Sequence, residues 1–127
     1  MDNQFRMQRD LDLIRAILFK ISNEPAEEVR FRPVEIEGYN EETIGYHVWL
    51  LGDGGYLDIT TNETAGGSFA HVQVNEIKWK GQEFIDAARN QNIWEKFKVK
   101  VVEKGGSIPF SIATEVLTSI AKNEFGV

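Results

Sequence analysis

Apolar residues near the start of the chain fall on a helical stripe. Leu11, Ile14, Ile17, Leu18 and Ile21 recur at three- and four-residue steps, the spacing that places side chains on one face of an α-helix. Arg9, Asp12, Arg15 and Lys20 lie elsewhere on the wheel, so a helix is expected over about 9–23, closed by Asn23 and Pro25, because proline disfavours a helical residue before it. Residues 29–36, Val-Arg-Phe-Arg-Pro-Val-Glu-Ile, alternate apolar and polar positions instead. Pro33 lacks an amide donor, which limits this stretch to an edge strand. Gly38-Tyr39-Asn40 predicts a turn with Asn40 as the N-cap of a second helix running to about Leu51, with Glu41 and Glu42 near the positive end of its dipole. Ile44, His47, Val48 and Leu51 share one face of it, and Gly52-Asp53-Gly54-Gly55 supplies the stop.

Beyond the glycines the period shortens to two. Residues 56–61 and 69–74 read as strands, 62–68 as a polar hairpin loop containing Gly66-Gly67, and Ile77-Lys78-Trp79 as an extension of the second strand. A short helix follows over 82–89 with Phe84, Ile85 and Ala88 inward, then another over 93–103. Gly105-Gly106 breaks the pattern, and a last helix over 107–122 carries Ile112, Val116, Leu117 and Ile120. Helix, extended segment, helix, glycine turn and β-ribbon is the order of a winged helix. One departure is that no first helix of a helix-turn-helix is evident between Pro25 and Gly38. The expected fold is a single α+β domain over 1–127, with a winged-helix-like core over about 9–80 and a helical C-terminal extension, 81–127, packed on it.

Composition narrows the chemistry. At 127 residues the chain can remove roughly two-thirds of its unfolded surface from water without a covalent staple. It has no cysteine, which removes disulfides, thiolate metal sites, iron–sulfur clusters and thiol nucleophiles together. No apolar run reaches membrane-spanning length and no basic-then-apolar leader opens the chain, so a cytoplasmic protein without membrane partners is expected. The net charge of −6 is unevenly placed: residues 1–23 carry +1, residues 24–58 carry −7, and the rest balances. Such acidity argues against a generic binder of polyanions.

Several stretches resemble a family known as domain of unknown function 2513, found in bacteria and their phages. They are Arg9-Asp10-Leu11-Asp12-Leu13-Ile14-Arg15, Tyr46-His47-Val48-Trp49-Leu50-Leu51, Trp79-Lys80-Gly81-Gln82-Glu83-Phe84-Ile85-Asp86 and Trp94-Glu95-Lys96, with Gly105-Gly106-Ser107 beyond. The likeness covers nearly the whole chain from Arg9, with Met1–Arg6 as an extension ahead of a more usual start near Met7. Gly55-Tyr56-Leu57 stands where relatives tend to carry Gly-Leu-Ile. The resemblance implies a winged-helix-like fold and brings no established activity or catalytic residues.

A winged helix invites a DNA-binding reading, with 40–52 as recognition helix and 62–68 as wing tip. With Ile44, Val48 and Leu51 inward, that helix shows Glu42, Gly45, Tyr46, Trp49 and Asp53 outward, and the wing is likewise free of basic residues. Phosphate is usually held by lysine and arginine, so charge disfavours this pose. The best nucleic-acid candidates are Lys96, Lys98, Lys100 and Lys104, beside an apolar stripe of Trp94, Phe97 and Val101; a solvated lysine face is the bland alternative. Tyr46 and Trp49, with Glu42 beside them, form the candidate protein interface. The alternative is that helices from residue 82 onward, and Phe19, cover them.

Catalytic readings find little. His47 and His71 are the only histidines, and His47, beside an apolar face, reads as a hydrogen-bonded structural residue. No zinc-protease, nucleophile-elbow or phosphate-loop motif occurs. Asp53 and Asp58 miss the calcium-loop spacing, and Glu27-Glu28 and Glu41-Glu42 read as solvated pairs. The expectation is a protein with no enzymatic activity, cofactor, metal or small-molecule ligand. It would be a regulatory or accessory protein acting through a protein partner or as a homodimer. A DNA-binding transcriptional regulator is the alternative. A third reading takes the −7 segment as an acidic decoy for a DNA-binding partner.

Overall fold

In the computed structural model, which describes residues 5–61, 67–106 and 108–125, the N-terminal apolar stripe becomes helix α1, Leu11–Asn23. Asp10 caps it, one carboxylate oxygen accepting the Leu13 amide at 3.1 Å, which satisfies a donor that no helical carbonyl can reach. Leu13 takes the inward place expected of Leu11, and with Ile14, Ile17, Leu18 and Ile21 it is buried.

The edge strand expected over 29–36 is replaced in its first part by a helix, α2, Ala26–Phe31. Pro25 precedes it, Glu27 and Glu28 occupy its first turn, and Val29 is its buried residue. Pro33 then sets the stop. Its ring disfavours the helical region for the residue before it, and Arg32 is extended, at φ −128° and ψ 144°. A helix thus stands between Pro25 and Gly38 where the pattern of apolar residues showed none.

Helix α3, Glu41–Asp53, starts at the expected cap, with Asn40 Oδ1 accepting the Thr43 amide at 2.8 Å. Its end folds back through Gly54 N–H to the Leu50 carbonyl and Tyr56 N–H to the Leu51 carbonyl. Gly55 closes that turn at φ +84°, a backbone region that costs glycine least. Strand β1, Leu57–Thr60, pairs antiparallel with β2, Gln73–Ile77. Asp58 faces Glu76 and Ile59 faces Val74, so Asn75 is the extra residue of a bulge. Its carbonyl accepts Arg30 Nε at 3.0 Å, tying α2 to β2. The second strand was expected over 69–74 with an extension through Trp79. It starts later and ends sooner, since 68–70 is held on α3, a turn closes from Phe69 to Val72, and Trp79 opens a helix. The expected wing tip, 62–68, falls largely outside the described residues.

The chain divides into two compact units, Met1–Gly81 and Gln82–Val127. In the first, α3 packs on α1 and β1, around Ile17, Leu18, Ile44, Val48, Leu51 and Leu57. Helix α4, Trp79–Ala88, contains the division. The second unit also holds α5, Gln91–Glu103, capped by Asn90, and α6, Ala113–Phe125, which packs on α5. Its core is aromatic: Phe84 meets Trp94 edge-on at 6.1 Å, and Trp94 meets Phe97 at 5.2 Å. The last helix begins later than expected because Pro109 leads into a 3₁₀ turn, Phe110–Ile112, ahead of it. The architecture is α+β, helices with, among the described residues, one two-stranded antiparallel sheet.

Candidate functional site

The outward face of α3 carries Glu42, Gly45, Tyr46 and Trp49, and each has a neighbour within its own unit. Glu42 accepts twice, from Ser68 Oγ–H at 2.7 Å and from the Phe69 amide at 3.1 Å. Ser68 Oγ in turn accepts the Ala70 amide at 3.1 Å. These bonds lay residues 68–70 along the helix. Gly45 lets them come close: a Cβ there would overlap the Phe69 carbonyl oxygen, so the site tolerates only a hydrogen.

Aromatic rings complete the contact. Phe69 sits 5.0 Å from Tyr46 and 5.7 Å from Trp49, centroid to centroid. Phe5 adds an edge-on contact to Tyr46 at 5.5 Å, and Tyr46 stacks on Trp49 at 6.3 Å. Offset and edge-to-face arrangements of this kind suit the ring quadrupoles. Tyr46 and Trp49 are consequently half-buried. Phe5 belongs to the segment that resembled an extension ahead of the domain, and Phe69 to the expected strand. No local pattern in the sequence links either of them to α3.

Beneath this face lies His47, fully buried. Its Nε2 accepts the Asp10 amide at 2.8 Å, and its Nδ1 lies 2.8 Å from the Thr43 carbonyl. A ring nitrogen that accepts an N–H carries no proton, so Nδ1–H is the donor to Thr43 and the imidazole is neutral. Burial pushes its pKa below the ordinary histidine value, against the opposing pulls of the Thr43 carbonyl and Asp10. Tyr39 Oη–H donates to the second Asp10 carboxylate oxygen at 3.1 Å, and burial, then Asp10, raises the Tyr39 pKa. Asp10 therefore joins α1, α3 and the turn before α3. With both nitrogens engaged, His47 has no free position for a substrate or metal. His71 is exposed. Among the described residues, no three histidine or carboxylate side chains are grouped to hold a metal ion.

The remaining candidates are dispersed. On α5, Trp94, Phe97 and Val101 form the expected buried stripe. Lys96 pairs with Glu124, and Lys98 with Glu95 at 3.5 Å. Lys100 is exposed, and Lys104 follows the helix as its C-cap. Four lysines in sequence thus reduce to a row whose first two members already face carboxylates. Phe19, half-buried, lies under the Arg15 guanidinium, 4.5 Å from its ring centre. Of the acidic segment, Glu24 holds Lys20 at 2.8 Å and Glu42 holds residues 68 and 69. Glu27, Glu28, Glu35, Glu37, Glu41, Asp53 and Asp58 are exposed. No helix among the described residues is long and apolar enough to cross a membrane.

Residues 8–107 match the model of a family described as hypothetical protein, DUF2513. The chain is also similar to an uncharacterized protein of Haemophilus influenzae, 25% identical over 114 residues that cover 90% of this chain and 95% of that one. No solved structure matches it.

Proposed function

This chain belongs to the DUF2513 family, and we propose that it is a non-enzymatic accessory or regulatory protein of the cytoplasm that acts through protein contacts, as a homodimer or with another protein. The observation that carries this reading is the exposure of two large aromatic residues, Phe31 at 83% and Trp79 at 79%. Aromatic rings held out in water are costly to keep and are the anchors that protein interfaces favour. Tyr46 and Trp49, by contrast, are half-buried in the ring cluster on α3.

The competing regulator reading needs a helix face free to enter a DNA groove. The outward face of α3 is engaged by residues 68–70, and its acidic first turn would meet phosphate with like charge. The α5 lysines supply the alternative's strongest support, weakened by the pairing of Lys96 and Lys98.

Fluorescence anisotropy with mixed-sequence duplex DNA, at low and physiological salt, separates the two. No binding at either salt is expected; a complex that weakens steeply with salt would move the function to nucleic acid. Sedimentation velocity across protein concentration tests the homodimer. Association that Phe31→Ala with Trp79→Ala abolishes is the expected result. A species that associates equally well without both rings would place the contact elsewhere.

A further inference from the structure

Between α2 and α3 the chain runs in a manner that leaves backbone without a partner. From Pro33 to Glu37 exposure alternates residue by residue, with Val34 and Ile36 half-buried and Glu35 and Glu37 exposed. That is the period of a strand, yet among the described residues no strand pairs with it. Among the described residues the amides of Val34, Glu35, Ile36 and Glu37 donate to no acceptor, and the carbonyls of Pro33, Val34 and Glu35 accept no donor.

This segment borders a groove of about 650 Å³. All five consecutive residues 33–37 line it. Since their side chains alternate in direction, what they share along the groove is the backbone edge. Ile44, Val48, Ala70 and Val72 supply apolar lining, and Glu35, Glu37 and Glu41 supply carboxylates. The one lining cation, Lys20, already holds Glu24 at 2.8 Å. Glu37 and Glu41 have no ion-pair partner among the described residues.

An unpaired edge beside a groove of mixed polar and apolar lining with an acidic border selects its occupant. Main-chain groups call for an extended segment, alternate pockets for apolar side chains, and carboxylates for lysine or arginine between them. A second copy pairing antiparallel through the same edge would bring Glu35 and Glu37 of one copy up to those of the other, which like-charge repulsion opposes. We propose that this groove takes an extended, basic peptide segment of another protein, which adds as a β-strand to residues 33–36, ahead of the turn that the Tyr39 amide closes on the Ile36 carbonyl. The inference rests on the protein-contact reading above and names the chemistry of one partner.

The test titrates the full ¹⁵N-labelled chain with acetyl-Lys-Val-Lys-Val-Lys-Val-Lys-amide and follows its amide resonances. Saturable shifts centred on residues 34–37 and 70–72 are expected, at peptide concentrations up to about 1 mM. The same peptide N-methylated at every residue, which has no backbone donor left for a ladder, is expected to produce none. Glu35→Gln with Glu37→Gln, both exposed and so without consequence for folding, is expected to weaken binding by about fivefold, as rim charges do. Absence of saturable shifts, shifts centred elsewhere, or equal binding by the N-methylated peptide would overturn the proposal. The duplex titration keeps the two levels apart: a silent groove with no DNA binding removes only this inference, whereas salt-sensitive DNA binding removes the reading beneath it.

Discussion

Replacing Gly45 by alanine puts two opposed effects on one methyl group. In an exposed helix interior the change stabilises by about 1 kcal/mol, because alanine gives up less backbone freedom. Here the new Cβ would overlap the Phe69 carbonyl oxygen and lie 2.5 Å from its carbon. The obstacle is backbone, not the end of a flexible side chain, so either α3 shifts or residues 68–70 lift away. Forcing an extra carbon into a packed contact costs about 1–3 kcal/mol. Lifting the segment also breaks the two bonds to Glu42, each worth about 1.5–3 kcal/mol for a charged acceptor and less where water reaches it. Set against the propensity gain, a net loss of about 2–4 kcal/mol is expected. Urea unfolding followed by far-UV circular dichroism reads the sign directly. Because Gly45→Ala and Glu42→Ala release the same segment, the double variant should lose clearly less than the two single losses combined. A Gly45→Ala protein as stable as the parent, or additive losses, would refute the close approach of this segment to α3.

Other consequences follow from the same contacts. The folded protein keeps His47 neutral below the ordinary histidine pKa, while the unfolded chain protonates it near 6.5. Its contribution is therefore complete above that pH and is lost as pH falls toward the folded value, at up to about 1.4 kcal/mol per pH unit. Urea midpoints from pH 8 to 5 should show this slope in the parent and not in His47→Gln. Leu18→Ala empties a site with no solvent exposure and should cost about 2–5 kcal/mol in the same assay. Tyr46→Ala with Trp49→Ala dismantles the ring cluster and should cost about 3 kcal/mol or more; an unchanged midpoint would mean these rings do not pack as described.

Where the signals were local, the chain declared its fold. The stripe of α1 and the Asn40 cap with Glu41 and Glu42 behind it lie within a few residues of what they determine, and both helices appear where expected. Helix α2 was hidden because six residues with one buried side chain, Val29, make too little of a wheel to show a period. The alternation seen over 29–36 was real only from Pro33 onward, and there it describes extended chain that pairs with no described strand. Pro33 carried the right information about a boundary, but the boundary was the end of a helix. The second strand was misplaced for a different reason. Phe69 is apolar because it packs on Tyr46 and Trp49, and the carboxylate that pulls its backbone there is 27 residues away. Periodicity within a segment cannot report such a partner.

The candidate face shows the same limit from the other side. A helical wheel correctly groups Glu42, Gly45, Tyr46 and Trp49, but it cannot say whether the face meets solvent, another protein or the chain itself. One residue did carry a hint. Glycine in the middle of a helix costs about 1 kcal/mol relative to alanine, a cost that close backbone approach explains and an open binding face does not. Net charge has a similar weakness. The −7 of residues 24–58 reads as one acidic surface until its members are placed. Glu24 then closes an ion pair, and Glu42 fastens residues 68 and 69. Glu35, Glu37 and Glu41 gather around a groove with unpaired backbone. Charges engaged in holding the fold tell a partner little; those that border the groove are the ones a partner would meet.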